Sequence, residues 1–227
     1  MPWRGTQAAS RQRYLAKFDA AEAEQYDALV GNLSPSDEEA YLADLNRVFQ
    51  FQSGMTVLDA GAGTGALTRV LSQIDGLSIT ALEPAPAMLD RLKSQPELRD
   101  VAAVEGFCDH LDDRRHFRDG QFDVIASRQL ANGLFDPLAA FRNWHHWLKP
   151  GGSVVLIDGL YPRTAWTGKW EDEIDVLPFS ACQSTATVPY LLEQAGFQID
   201  AVDRMDAVNI LPSTRTPRYI VVATKLT

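Results

Sequence analysis

Apolar positions along the chain alternate between two spacings, and the alternation predicts its elements. Residues 8 to 30 carry Tyr14, Leu15, Phe18, Tyr26 and Leu29 on a helical face with a break near Asp19. Ser34-Pro35-Ser36-Asp37 predicts a capped helix start, with Glu38 and Glu39 in the first turn and a stripe of Leu42, Leu45, Val48 and Phe49. Short apolar runs then predict strands at Met55 to Asp59, Ser78 to Leu82, Val101 to Glu105, Phe122 to Ala126 and Ser153 to Asp158. Between them lie helical stretches marked by Leu67, Val70, Leu71 and Ile74, by Met88, Leu89 and Leu92, and by residues 136 to 149, closed by Lys149-Pro150-Gly151-Gly152. A further helix is predicted from Val188 to Ala195. Two last apolar runs, Phe197 to Val202 and Tyr219 to Ala223, predict an antiparallel edge hairpin with no intervening helix.

Strands alternating with helices predict an α/β fold, a Rossmann-like, mostly parallel sheet with helices on both faces. With 227 residues the chain is long enough for one substantial core and short for two, so 1–227 is expected to form a single domain. Within it, 1–50 reads as a helical arm and 159–186 as a lid-like insertion.

Charge narrows the partners. Thirty acidic against 21 basic residues leave a net charge of -9, with no basic run to attract a phosphate backbone, so nucleic acid is not the expected partner. No apolar stretch approaches the ~20 residues that span a bilayer, and no apolar h-region follows the basic residues at the start; no membrane association and a cytoplasmic location are expected. Cys108 and Cys182 lack a C-x-x-C partner and read as thiols in a reducing compartment.

The most informative segment is Val57-Leu58-Asp59-Ala60-Gly61-Ala62-Gly63-Thr64-Gly65, a predicted strand running through glycines into a helix. Such a turn offers backbone N–H groups and a helix N-terminus to a ligand at the carboxyl end of the sheet. Glu83, 22 positions after Gly61 at the end of the next strand, is suited to accept hydrogen bonds from two ribose hydroxyls. An adenosine-containing ligand is implied. The third glycine arrives one residue early for the dinucleotide pattern G-x-G-x-x-G, which disfavours a nicotinamide oxidoreductase.

The segments VLDAGAGTGALT, ITALEP, FDVIAS and LKPGGSVVLID, in this order, resemble class I S-adenosylmethionine-dependent methyltransferases, most closely the small-molecule type of ubiquinone and menaquinone biosynthesis. The resemblance implies a seven-stranded sheet, S-adenosylmethionine as cofactor with S-adenosylhomocysteine as product, and a small organic acceptor. It places Asp59, Gly61, Ala62 and Gly63 around the methionine part of the cofactor, Glu83 on the ribose, and Pro84, Ala85 and Met88 beside the adenine. Where the family commonly has Gly-Asp-Ala, this chain has Gly106-Phe107-Cys108. Either Phe107 stacks on the adenine and Asp109 supplies the polar contact, or backbone and water do. Tyr26 and Phe18 match arm positions that close over the cofactor, with Phe18 also a substrate contact.

Methyl transfer from a sulfonium releases a neutral thioether, so positioning and desolvation carry much of the work, and a base matters only for an acidic nucleophile. No base is unambiguous in the sequence. Ser127 stands where metal-dependent catechol enzymes place a magnesium ligand, so no metal is expected; Ser127 is taken as a cofactor contact. Arg128, Gln129 and Asn132 are candidates to bind a polar substrate, or to cap the next helix or hold the cofactor carboxylate. Tyr161, Trp166 and Trp170 in the insertion are candidates for an apolar substrate wall, while its acids either attract an amine or form a solvated face. His145 and His146 point about 100° apart on a helix and read as structural; His110 lies near the expected adenine end. Oxygen or carbon is slightly favoured over nitrogen as the methyl acceptor. A protein that binds the cofactor without catalysis is the alternative reading. Oligomeric state is not legible.

Overall fold

The structure is a computed structural model that describes residues 7–226; residues 1–6 of the expected arm and Thr227 lie outside the described residues. Its centre is β1 (Thr56–Ala60), whose side chains are buried on both faces, as a near-continuous apolar run requires in a parallel sheet. Around it lie β2 (Ser78–Glu83), β3 (Ala102–Glu105), β4 (Phe122–Arg128), β5 (Leu148–Gly159), β6 (Phe197–Arg204) and β7 (Arg218–Lys225) in the order β3-β2-β1-β4-β5-β7-β6. The first five strands are mutually parallel, and β7 runs antiparallel to both β5 and β6.

Strand residues alternate between two cores. Leu58, Ile125, Leu156 and Val221 face one that contains Trp144 and Trp147 of α6 (Pro137–Trp147) and Leu192 of α7 (Thr187–Gln194). Val57, Val124, Val155 and Ile220 face the other, built with Tyr41 and Leu45 of α3 (Pro35–Val48) and Val70 and Leu71 of α4 (Ala66–Ser72). α3 begins at Ser34 in a reciprocal capping box with Asp37, rather than with the glutamates alone.

The arm breaks where the sequence breaks: α1 (Gln7–Leu15) ends before Asp19, which caps α2 (Ala20–Tyr26), and α2 continues into a π-turn, Asp27–Gly31. α5 (Pro86–Ser94) follows β2. Two expectations need correction. Lys149 to Gly152 does not separate α6 from its strand; β5 starts at Leu148, and the four residues bulge from the pairing between Phe122↔Leu148 and Val124↔Ser153. Pro150 lacks an N–H and Gly151 has φ 73°, so neither suits a regular ladder, while Lys149 Nζ anchors the bulge on Asp123. The connection between the last two strands does contain a helix, α8 (Asp206–Asn209), whose Val208 N–H donates to the buried Asp44 carboxylate on α3.

Candidate functional site

At the carboxyl ends of β1 and β2 the chain turns through Gly63 and Gly65 with φ 57° and 96°, conformations that a side chain would strain. Glu83 closes this turn: Oε2 accepts from Gly63 N at 3.0 Å and Oε1 from Ala85 N at 2.8 Å. Its carboxylate is buried and, because burial outweighs those two bonds, its pKa is pushed up to about 7. Beneath the loop, Asp59 is also buried; Oδ2 accepts from Thr68 Oγ1 at 2.6 Å, Oδ1 has no hydrogen-bond partner among the described residues, and burial pushes the pKa up to about 6.

A cavity of about 120 Å³ opens on this loop. Of the residues expected to hold a cofactor, Gly61, Gly63, Glu83, Pro84, Met88, Phe107, Cys108, Asp109 and Tyr26 line it; Phe18, Arg128 and Gln129, expected to face the substrate, line it too. Asp59, Ala62 and Ser127 do not. Ala62 packs with Ala81, Leu92 and Leu98, and Ser127 is fully buried with its hydroxyl unpaired among the described residues. Burial pushes the Cys108 thiol well up, away from reactivity.

Asp109 is fully engaged. Its Oδ1 accepts from Arg11, and its Oδ2 accepts from Phe135 N at 2.6 Å and Asp136 N at 3.4 Å. Arg11 also binds both oxygens of Asp113 and lies 4.4 Å over the Phe107 ring, so α1 is pinned across this end of the cavity. His110 is turned away to cap the following 3₁₀ turn, Leu111–His116. His145 packs edge-on against Phe197 at 5.3 Å and His146 faces Asp119, both on the sheet's flank.

A second cavity of about 910 Å³ lies beyond, and the two share Tyr14, Phe18, Tyr26, Gln129 and Gly133 in their walls. Asn132, Tyr161, Trp166 and Trp170 line the larger one. Trp170 stacks with Phe18 at 4.9 Å and Tyr14 at 5.8 Å, so the arm and the insertion meet through aromatic rings. Gln129 stands at the junction with φ 56°, a left-handed conformation rare outside glycine and characteristic of functional sites. Its Nε2 donates to Tyr161 Oη at 2.7 Å, and its Oε1 is unpaired among the described residues. Arg128, buried, donates to Tyr41 Oη at 3.0 Å and Val30 O at 3.3 Å.

Sequence reasoning missed Tyr14, Arg11, Arg215 and Arg218. Tyr14 was legible only as part of an apolar stripe, and Arg11 reaches partners about a hundred residues away. The insertion's acids also resolve only in three dimensions: Glu173 pairs with Lys17, Asp175 with Arg163, and Glu171 accepts from Gly168 N. Among the described residues, no group of three or more His, Cys, Asp or Glu is placed to hold a metal ion, and no helix is long and apolar enough to cross a membrane.

Comparison with known proteins adds to this geometry. The chain is 28% identical over 109 residues to a demethylmenaquinone methyltransferase of Chlorobaculum tepidum, covering 48% of this chain and 43% of that protein. It is 32% identical over 143 residues to a cypemycin N-terminal methyltransferase of a Streptomyces species, covering 61% and 55% respectively. The chain thus spans about half the length of the curated relatives it matches. The crystal structure of a SAM-dependent methyltransferase from Aquifex aeolicus shares the fold, with a TM-score of 0.66 at 20% identity over 92% of this chain and all of that one. A family model described as a methyltransferase domain matches residues 36–202, from the capped helix α3 through the glycine loop and Glu83 to the edge strand β6. By that match, which takes in most of the sheet and the loop at its centre, the chain belongs to the methyltransferase-domain family.

Proposed function

We propose that the chain binds S-adenosylmethionine at the glycine loop and directs methyl transfer to a small organic acceptor in the larger cavity. The observation that carries this reading is the junction: a loop cavity bearing Glu83 opens into an aromatic-walled cavity across Tyr14, Phe18, Tyr26, Gln129 and Gly133.

The polar groups at the loop suit such a cofactor. Each Glu83 oxygen holds one backbone donor and retains a lone pair, enough for two ribose hydroxyls. Arg128 is the cationic group lining the loop cavity, so it is assigned to the cofactor's carboxylate rather than to the acceptor. Asp59, unpaired at Oδ1 among the described residues and just outside the cavity wall below the loop, is assigned to the cofactor's ammonium once the loop cavity widens. Since Asp109 is taken up by Arg11 and two backbone amides, the adenine amino group is assigned to backbone, with Phe107, Met88 and Pro84 against the ring. The bound cofactor supplies a methyl group on a sulfonium whose displacement leaves a neutral thioether. The chain's part is to align the acceptor and exclude water, which the aromatic contacts between arm and insertion accomplish. Oxygen or carbon is the proposed receiving atom: its bond to the methyl forms as the methyl–sulfur bond breaks with the electron pair left on sulfur, and the acceptor's proton passes to solvent. Aromatic walls and the pairing of the insertion's acids support this choice.

At about 120 Å³ the loop cavity is smaller than the 300–1,000 Å³ typical of small-molecule sites, so Tyr14, Phe18 and Tyr26 must shift to admit a nucleoside. Titration calorimetry with S-adenosylmethionine and S-adenosylhomocysteine tests the assignment. Micromolar binding is expected, weakened by about 1–3 kcal/mol in Glu83→Ala and in Asp59→Ala. Unchanged affinity in both variants refutes it.

A further inference from the structure

We propose that Arg218, assisted by Arg215, makes the larger cavity a receptor for the carboxylate of a small aromatic acid, and that this acid is the methyl acceptor; the second clause rests on the function proposed above.

The charge balance of the cavity runs against that of the chain. With a net charge of -9 the molecule has an excess of carboxylates, yet the charged residues lining this cavity are Arg215, Arg218 and Glu22. Glu22 is already neutralised, holding Lys169 Nζ at 2.5 Å and accepting from Trp170 Nε1 at 3.3 Å. Neither arginine forms an ion pair among the described residues. Arg215 sits exposed at the rim, whereas Arg218 is half-buried at the start of β7. Its guanidinium lies 5.3 Å over the Tyr161 ring and donates from Nη1 to the Tyr161 hydroxyl. Asp158 is the neighbouring carboxylate and the charge of Arg218 favours its ionised form through space, but the two form no direct ion pair, because the Asp158 oxygens are turned to the backbone: Oδ1 accepts from Gly159 N at 2.7 Å and Oδ2 from Asn132 N at 3.2 Å.

The Arg218 guanidinium, held by a phenol at Nη1 and in no ion pair among the described residues, keeps donors for an incoming anion, and its planar fork matches a carboxylate in two parallel hydrogen bonds. The fold makes room for this group. Arg218 pairs with Gly159 across the β5–β7 ladder, and a Cβ at position 159 would lie 2.4 Å from Arg218 Nη1 and 2.9 Å from the Tyr161 ring. Gly159 therefore lets the guanidinium and the phenol fold back together against β5. Gln129, which also donates to the Tyr161 hydroxyl, connects this cluster to the loop cavity. An acid held at Arg218 would lay its ring along Trp166 and Trp170 on the insertion. Arg128 lines the loop cavity and not this one, and the two arginines adjoin across Tyr26 and Tyr161, with which both interact.

Benzoate and its neutral isostere benzamide are the probes. Binding is followed by tryptophan fluorescence, which Trp166 and Trp170 report directly, with and without saturating S-adenosylhomocysteine. Wild type is expected to favour benzoate by at least about tenfold. Arg218→Gln is expected to abolish the preference, Arg218→Lys to retain part of it, and Arg215→Gln to reduce it several-fold. Because Arg215 lies on an exposed loop, its variant keeps the test decisive even where Arg218→Gln fails to fold. Equal binding of the two probes, no benzoate binding up to about 10 mM, or a preference untouched in both Gln variants overturns the proposal. Calorimetry with S-adenosylhomocysteine on the same samples keeps the two readings apart. Failure to bind it alongside a benzoate preference removes the cofactor assignment and leaves the anion site standing; the reverse removes the anion site alone.

Discussion

Glu83 shows how one residue serves both fold and proposed chemistry. Its carboxylate ties Gly63 to Ala85, and burial holds its pKa up near 7. Hydroxyl donors from a ribose would favour the ionised form, so cofactor affinity should rise with pH as Glu83 loses its proton. From pH 6 to pH 8, binding of S-adenosylhomocysteine measured calorimetrically should tighten about tenfold. Glu83→Gln should bind more weakly and flatten the profile; a flat profile in the wild-type protein would refute the role. The position of Glu83 beside the glycine turn was legible in the sequence because it depends on spacing: a glycine turn after one strand and an acid after the next meet in any parallel sheet of this register. Asp109 was not legible in the same way, because its engagement depends on Arg11, which the chain delivers from a different element.

The arm and the insertion are held by ion pairs as well as by their aromatic contacts. Arg11 joins α1 to Asp109 and Asp113, Lys17 joins the α1–α2 turn to Glu173, and Lys169 returns from the insertion to Glu22 and to Lys17 O. Of these pairs, Arg11 lies nearest the loop cavity, over the Phe107 ring in its wall, so it is the contact proposed to latch the arm, and salt weakens the more exposed pairs. Arg11→Ala should speed trypsin cleavage at Arg13 and Lys17 and accelerate dissociation of S-adenosylhomocysteine in stopped-flow measurements, and high salt should act in the same direction on the wild type. Unaltered cleavage and dissociation would show that the arm is not latched by Arg11. The helices of this region were legible from periodicity and capping, down to the break at Asp19. The β5 bulge and α8 were not. The Lys149-Pro150-Gly151-Gly152 signal reads as a turn whether or not the strand resumes its pairing on both sides, and α8 is four residues long and is held by Asp44 rather than by its own periodicity.

Across the whole molecule, the raised carboxylates couple stability to pH. Asp59, Glu83 and Asp158 are buried, with pKa values pushed up to about 6, 7 and 6 from 3.8, 4.5 and 3.8, so between about pH 4 and pH 7 these three groups bind more protons in the folded chain than in the unfolded one. The stability they contribute is complete below the unfolded values and is lost as pH rises through 6 to 7. Asp37 and Asp123, held below the usual carboxylate range by their hydrogen bonds even against desolvation, act oppositely but lose their contribution only at lower pH, and His116 and His145, whose pKa values burial lowers, offset part of the trend as pH rises. The ligand-free protein should therefore melt at a higher temperature at pH 5 than at pH 8 at constant ionic strength, and Glu83→Gln should narrow the difference. A melting temperature that rises steadily from pH 5 to pH 8 would contradict this.

Sequence by itself determined the α/β class, the glycine turn and its acidic partner, because each follows from local periodicity, backbone conformation and strand register, which act over a few residues. It also showed that the insertion was aromatic and acidic. Tertiary structure alone decided which of those charges cancel. Glu173 is answered by Lys17 and Glu22 by Lys169, while Arg218 is brought to the cavity by the antiparallel return of β7 beside Gly159. Charge pairing acts through space between residues more than a hundred positions apart, so an acidic segment in the sequence can border a cavity lined by two arginines that form no ion pair among the described residues.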